Sequence, residues 1–387
     1  MTPAIVHACD YASEYGGNFI ASLARLRETC RGRGWEFVVV FPEAARERPW
    51  CAQMRAENWR VRFIPDGASA ARCAWSIAGI LSRENAQLIH THFSRFDAAA
   101  WLAARISGLF LLRPVRVVWH IHSDFQVRDT AFRRFKDFIK FRLLGGSAHL
   151  FLVSDHLKER PLGAGFGPER LHVIPNGIDF SRVDGTPQAA EPFKGLGVKK
   201  DAAVLMFGWH PLVKGVDVAL AAFEIVARTR SELTLLIVGC EETRDAVRAR
   251  YPQGNPRWLR VIPPVVNVAD YLHGAAIFLS ASRREGFPYS VFEAGASRCL
   301  LIASDIPAFR WVKKSVRFWW FRNEDPVDLA GRIIECAALP EDERRAVTWA
   351  NAAFIREHLP VEKWAVDVAG AYGRICAGRT GGTAQAA

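Results

Sequence analysis

The eight cysteines of this 387-residue chain, at positions 9, 30, 51, 73, 240, 299, 336 and 376, form no Cys-x-x-Cys pair and have no histidine-rich neighbour at metal-ligand spacing. Zinc ribbons and dithiol redox centres are thereby excluded, and the thiols are expected to be reduced and mostly buried. No uninterrupted apolar run reaches the roughly 18 residues of a spanning helix. The opening MTPAIVHACDY lacks the basic stretch and longer apolar core of a secretory leader, so a cytoplasmic protein is expected. No tandem repeat with a period of about 20–50 residues is visible, which removes solenoids and propellers. What the chain has in excess is positive charge, a net +11. That balance suits phosphorylated substrates, an anionic membrane surface or nucleic acid, and does not choose among them.

Half of the residues are hydrophobic, enough for more than one core, and the length points to two domains. Short β-branched runs alternate with longer helical patterns from end to end, the signature of βα units around parallel sheets. In the first half the strand candidates are 4–8, 36–41, 61–64, 87–91, 115–121 and 149–153, with helical stretches such as 18–32 and 95–107 between them. After LHVIP at 171–175 the composition turns to Gly, Pro and charge, NGIDFSRVDGTPQAAEPFKGLGVKK, and reads as a linker. The alternation restarts with strands near 203–207, 233–238, 259–262, 276–280 and 299–303 and helices near 215–229, 241–250, 289–297 and 326–338. Two Rossmann-like α/β domains are expected, at 1–175 and 200–360. The amphipathic stretch at 361–375 needs a partner surface, and the tail GRTGGTAQAA is expected to be disordered.

The segment SASRREGFPYSVFEAGASRCLLIASD at 280–305 carries the most chemistry. An apolar strand leads into Glu285, Gly286, Phe287 and Pro288, and a helix then carries Glu293. In an open α/β sheet the loop after a strand faces the ligand crevice, and the next helix presents free N–H groups to an anion. A diphosphate fits over Tyr289, Ser290 and Val291, with Glu285 accepting from sugar hydroxyls and Glu293 reaching ribose hydroxyls. Two solvated helix-face glutamates are the plain alternative, and the strand, the Gly-Phe-Pro turn and the small-residue helix argue against it. Gly16 and Gly17, between the first strand and a helix, leave backbone amides open to a substrate. Many βα turns need glycine, but the place of this pair after strand one favours a contact loop.

EGFPYSVFEAGA resembles the donor-binding signature of the retaining glycosyltransferases of GT-B fold, specifically glycosyltransferase family 4. Further pieces stand in that family's order: GGNFIASLARL at 16–26, HTHFSRFDAAAWLAARI at 90–106, VVWHIHSD at 117–124, VIPNGID at 173–179, and VKGVDVALAAF at 213–223 before LTLLIVG at 233–239. The resemblance spans about residues 4 to 375. It implies two facing Rossmann-like domains with a central cleft, the donor on the C-terminal side, the acceptor on the N-terminal side, and a C-terminal helix at 361–377 crossing back to the N-domain. It implies a hexosyltransferase that moves a sugar from a nucleotide-diphosphate sugar to a lipid-linked, polysaccharide-precursor or small-molecule acceptor, with retention.

By the same resemblance Lys214, before Gly215, neutralises the departing diphosphate, and His122 is the N-domain histidine that faces the donor sugar. His120, two residues earlier, shares its strand face, and strand alternation does not decide between the two. The family carries an arginine soon after the glycine matching Gly208, whereas this chain reads Gly208, Trp209, His210, which leaves His210 as a substitute hydrogen-bond donor or cation. His90 and His92 in HTHF invite a zinc reading, but no third ligand appears at suitable local spacing, and no metal is expected. No Asp-x-Asp occurs, the arrangement with which the other main glycosyltransferase fold holds a divalent cation on its donor. No cofactor is expected beyond the nucleotide sugar.

TAFRRFKDFIKFRLL at 130–144 interleaves Phe132, Phe135, Phe138 and Phe141 with Arg133, Arg134, Lys136, Lys140 and Arg142. Basic aromatic helices of this kind lie in anionic lipid interfaces, or pack one face on a sheet. RWVKKSVRFWWFR at 310–322 is similarly basic, and its WWF run reads as a buried strand. Two rival readings remain. A GT-B nucleotide-sugar enzyme of another reaction type, an epimerase or phosphorylase, is disfavoured by the intact EGFPYSVFEA block. A basic nucleic-acid-binding protein is disfavoured because the charge is spread over both halves without a recognition motif.

Overall fold

The computed structural model describes residues 2–123, 130–184, 192–265 and 267–378. Asp124, the 185–191 part of the stretch read as a linker, and the tail from 379 lie outside the described residues. The chain divides into two compact units, Met1–Gly177 with Val361–Ala387, and Ile178–Pro360.

The first unit is built on seven parallel strands: β1 (Ala4–Cys9), β2 (Glu36–Pro42), β3 (Arg60–Ile64), β4 (Ala86–His92), β5 (Arg116–Ile121), β6 (Ala148–Leu152) and β7 (Leu171–Val173). Their order is β3-β2-β1-β4-β5-β6-β7. Inner strands such as β2, EFVVVFP, are nearly continuous runs of buried apolar residues, because helices cover both faces of the sheet. β3, at the edge, alternates Arg60, Val61, Arg62 and Phe63, and its arginines sit at the surface with Glu84. On one face the helices Ala70–Arg83 and Asp97–Leu111 pack together. There the Trp119 indole donates to the Asp97 carbonyl at 3.1 Å and the Ser107 hydroxyl to Ala78 O at 3.0 Å. On the other face lie helix Gly17–Gly32 and helix Val361–Cys376, whose Trp364, Val368 and Tyr372 share a core with Ile5, Leu88, Val118 and Phe151.

That second face also carries an unusual column of histidines. The register sets His7 beside His90, and His92 beside His120, while His122 follows β5 with its ring centroid 4.0 Å from that of His120. His7, His90, His92 and His120 are fully buried and His122 is half-buried at the strand end. Desolvation holds all five in the neutral form: it lowers His7 and His122 to about 3, and His90, His92 and His120 well below the usual imidazole range.

The second unit repeats the scheme with six parallel strands: β8 (Ala203–Phe207), β9 (Thr234–Val238), β10 (Leu259–Ile262), β11 (Ile277–Ser280), β12 (Leu300–Ser304) and β13 (Trp319–Phe321), in the order β10-β9-β8-β11-β12-β13. The WWF run is thus an edge strand with Trp319 and Phe321 buried. Helices Val216–Val226 and Pro326–Ala337 pack on one face. Helix Glu341–His358 lies against helix Tyr289–Ala296, and a β-carbon on Gly295 would come 2.4 Å from Ile355 Cδ1.

The basic aromatic stretch is not one α-helix. Ala131–Asp137 is α-helical, Phe138–Leu143 widens into a π turn, and Leu144–Ser147 tightens into 3₁₀. Phe132, Phe135 and Phe138 are 67%, 59% and 47% exposed, and Phe141 is the one phenylalanine buried. Lys140 turns inward to the buried carboxylate of Asp97 at 2.5 Å. No helix among the described residues is long and apolar enough to cross a membrane.

Because the buried histidines bind protons only after unfolding, the unfolded chain takes up more protons than the folded one between pH ~6.5 and the lowered folded values. Stability is therefore full above about pH 6.5 and falls as the pH drops, by up to ~1.4 kcal/mol per pH unit for each histidine. Urea denaturation at pH 5 should show a markedly lower midpoint than at pH 7.5, and His120→Phe should narrow the gap. Equal midpoints in the wild type would contradict the buried, neutral column.

Candidate functional site

In both sheets the strand order reverses between two central strands, and loops at the carboxyl ends of those strands diverge to leave a crevice. In the second unit the reversal lies between β8 and β11. The turn 208–215 follows β8, and the loop 281–288 follows β11 and leads into helix Tyr289–Ala296. The family-like residues of the second unit, Gly208, His210, Lys214, Glu285 to Val291 and Glu293, all lie on these two loops or the helix they feed.

A backbone contact locks the two loops together. Arg283 N–H donates to Val213 O at 2.9 Å. Gly215 adopts φ +67°, and a β-carbon there would lie 2.0 Å from the carbonyl oxygen of Ala281. Glycine is required on both counts. The Arg283 guanidinium ties the same junction, bonding both oxygens of Asp217 at 2.9 and 2.8 Å and reaching Glu324 and Leu212 O. This bonding holds the Asp217 carboxyl below its ordinary range. Lys214 is thereby delivered to Glu285, Nζ to Oε1 2.5 Å, with both side chains largely buried. The Ser282 hydroxyl also donates to Glu285 Oε1 at 2.7 Å, and Ser304 donates to Ser282 O.

Helix Tyr289–Ala296 begins at Pro288 without a side-chain cap; Tyr289 N–H bonds Phe287 O at 3.0 Å and Val291 N–H bonds Pro288 O at 3.1 Å, so an anion at this helix start shares those amides with the chain's own carbonyls. Phe287 and Val291 are buried beneath it, and Tyr289 and Ser290 are half-exposed. Glu293 is buried, with Arg182 Nε 3.9 Å from its carboxylate. Gly208 is packed tightly: its carbonyl accepts from Thr243 at 2.5 Å, and a β-carbon would sit 2.8 Å from Ile237 Cγ2. His210 stands apart. It has a left-handed backbone, φ +56°, its side chain is 81% exposed, and Nδ1 lies 3.9 Å from Glu242. Arg284, beside Glu285, is half-buried, and its Nε is enclosed without a hydrogen-bond partner among the described residues.

In the first unit the reversal lies between β1 and β4. Gly16 and Gly17 follow β1, Gly17 with φ +57°, and a β-carbon on Gly16 would press on Ile20 at 3.1 Å. The turn after β4 holds Phe93 and Ser94 in the left-handed region, φ +67° and +64°, a strained arrangement for side-chain-bearing residues. It lays the Phe93 ring on His122 at 4.7 Å, with Phe19 edge-on at 5.8 Å. His92 Nδ1 lies 2.9 Å from His122 Nε2. His7, which no motif singles out, joins this network from β1: its Nδ1 is 3.0 Å from His92 Nε2. The only local signal for His7 is a histidine inside the apolar run AIVHAC.

A cavity of about 230 Å³ lies elsewhere in this unit, lined by Ser94, Arg95, Asp97, Trp119, Lys136 and Lys140 among others. It takes in residues of the family-like stretches 90–106 and 117–124 but none of the residues assigned to donor binding or catalysis.

Residues 21–182 match Glycosyltransferase Family 4 and residues 201–338 match Glycosyl transferases group 1. Among curated relatives, the serotype-specific mannosyltransferase WbdA of Escherichia coli is 30% identical over 176 residues, 41% of this chain. That match takes in about a fifth of the relative's length (21%). The phosphatidyl-myo-inositol mannosyltransferase of Mycobacterium tuberculosis is 24% identical over 369 residues, 90% of this chain and 91% of that protein. Among solved structures, Anabaena Alr3699/HepE in complex with UDP and glucose superposes with a TM-score of 0.77 at 17% identity, covering 96% of this chain and 99% of that one. The two matched regions together take in most of both parallel-sheet units, and the chain belongs to the group 1, family 4 glycosyltransferases of two-domain, Rossmann-like GT-B fold.

Proposed function

We propose that this chain is a retaining hexosyltransferase whose second unit binds a nucleotide-diphosphate sugar. The observation that carries the reading is the Lys214–Glu285 pair, set at the strand-order reversal beside the uncapped start of helix Tyr289–Ala296. The diphosphate meets the helix amides over Tyr289, Ser290 and Val291, with Gly286, Phe287 and Pro288 shaping the approach. Lys214 neutralises the charge that grows on the leaving phosphate. Glu285, whose carboxylate form only accepts, takes hydrogen bonds from sugar hydroxyls, and Glu293 serves the ribose. The UDP and glucose held by the Anabaena structure and the mannosyl transfer named for two relatives support a hexose donor.

No carboxylate is assigned as a nucleophile. Retention then follows from departure and attack on one face, with the leaving phosphate oxygen taking the acceptor proton, so that catalysis rests on positioning and on charge stabilisation. His122, neutral because burial lowers it to about 3, contributes a hydrogen bond to the donor sugar rather than a charge. Gly16 and Gly17 supply backbone amides from the first unit.

A thermal-shift panel of UDP, GDP, ADP and their sugars identifies the donor, since a ligand at 100 times its Kd stabilises by about 2.7 kcal/mol. With that donor, Glu285→Gln and Lys214→Ala should each lower turnover by on the order of a hundredfold without loss of folding. Because the two groups bond each other, the double variant should lose less than the product of the single losses. A folded, fully active single variant would remove that residue from the site. Turnover should also persist in EDTA, as the diphosphate is met by a lysine and amides; loss that added Mg²⁺ or Mn²⁺ restores would overturn that assignment.

A lipid-linked acceptor is favoured by the exposure of Phe132, Phe135 and Phe138 beside exposed Arg134, Lys136 and Arg142, a combination suited to an anionic leaflet. Lys140 is withdrawn from this role by its bond to Asp97. Wild-type protein should sediment with anionic phosphatidylglycerol vesicles at low salt, and the triple Phe→Ser variant at these positions should be released while keeping its nucleotide-induced thermal shift. Failure of the wild type to sediment would make a soluble acceptor the better reading.

A further inference from the structure

The histidine column holds more imidazole than the transfer reading uses. The reversal of strand order puts β1, β4 and β5 side by side, and one ring nitrogen from each of His92, His120 and His122 lies within 4.8 Å of the other two. His120 is fully buried, yet neither of its nitrogens has a hydrogen-bond partner among the described residues. Buried polar groups are normally satisfied, and two orphan nitrogens on one ring call for an explanation. We propose that His92, His120 and His122 form a binding site for a borderline divalent transition-metal ion of the Zn²⁺ class, with water in the fourth position.

The donor set fits that class. Three imidazoles with no carboxylate favour Zn²⁺, Co²⁺, Ni²⁺ or Cu²⁺ over Mg²⁺ or Ca²⁺. Burial keeps the rings neutral near pH 7, the form that coordinates. With Zn–N bonds of about 2.0–2.1 Å two tetrahedral ligands stand about 3.4 Å apart, so His92 and His122, hydrogen-bonded at 2.9 Å, part by about half an ångström, and separations up to 4.8 Å close by on the order of an ångström.

The outer shell is also present. If His92 ligates through Nδ1, its Nε2–H donates to His7 Nδ1, 3.0 Å away. His7 Nε2 in turn reaches the Tyr372 hydroxyl at 3.5 Å, and that hydroxyl bonds His90 Nδ1. Such a chain fixes the ring tautomer and orientation, as partners of metal-bound histidines commonly do. A second trio, His7, His90 and His92, is as close-set, but it is wholly buried and one of its nitrogens is taken by Tyr372. His122, half-buried at the strand end, gives the outer trio both an entrance and an open position.

EDTA-stripped protein should bind Co²⁺ at one ion per chain, with the visible bands of four-coordinate cobalt, and Zn²⁺ should displace it. His122→Ala, at the partly exposed end and so least costly to folding, and His120→Phe should each weaken Zn²⁺ binding by about a hundredfold or more, with thermal melting as the check on folding. His149→Gln, in the separate His149–His172 pair on β6 and β7, should leave binding unchanged. Absence of the cobalt bands in the wild type, or tight binding retained in His122→Ala, would overturn the proposal. None of these readouts passes through sugar transfer, and an all-imidazole site is a poor host for the Mg²⁺ or Mn²⁺ of the EDTA test.

Discussion

Two backbones approach at Gly215 more closely than any other residue type would allow. The turn after β8 and the loop after β11 are brought together by the strand order, but the parallel sheet alone leaves a gap between them. It closes because residue 215 has no β-carbon to strike Ala281 O and because the chain there takes a left-handed conformation. Lys214 is carried to Glu285 as a result, and Arg283 staples the junction from outside with ion pairs to Asp217 and Glu324. The charge arrangement is thus a consequence of a steric one.

The first unit solves a different problem. A column of five imidazoles inside a sheet must be paired or held neutral by desolvation, and this chain does both. His7 bonds His92, His92 bonds His122, His90 bonds Tyr372, and His120 has ring contacts but no hydrogen-bond partner among the described residues. The aromatic walls of Phe19, Phe37, Phe93 and Phe151 keep water away. The same exclusion that keeps the rings neutral makes them costly under acid, so their persistence inside the sheet is bound to a near-neutral environment.

Much of this was readable in the sequence. β-branched runs placed each strand to within one or two residues, because a doubly covered parallel sheet demands continuous apolar segments. EGFPYSVFEA located Glu285, Glu293 and the helix start. Three features escaped. Helix Glu341–His358 buries a stripe interrupted by Thr348 and Asn351, and Asn351 is accommodated only because its amide bonds Arg317 on both backbone groups. The role of Ser282 depends on a side-chain bond that no spacing rule encodes. A third histidine for His90 and His92 was sought nearby in sequence, whereas the sheet supplies His7 and His120 from neighbouring strands. Strand order, not spacing, made them neighbours.

The π turn at Phe138–Leu143 has a geometric consequence of its own. In a regular α-helix, residues three apart fall about 60° short of a full turn, so Phe141 would continue the slow spiral of Phe132, Phe135 and Phe138. A wider turn makes three residues fall further short, and the last ring is carried off the exposed stripe into the core while Lys140 swings toward Asp97. The division between the three rings that meet solvent and the one that does not is therefore set by chain length as well as side-chain identity. Removing one residue from that turn would rotate every side chain after it by about a quarter turn and redraw which rings meet solvent.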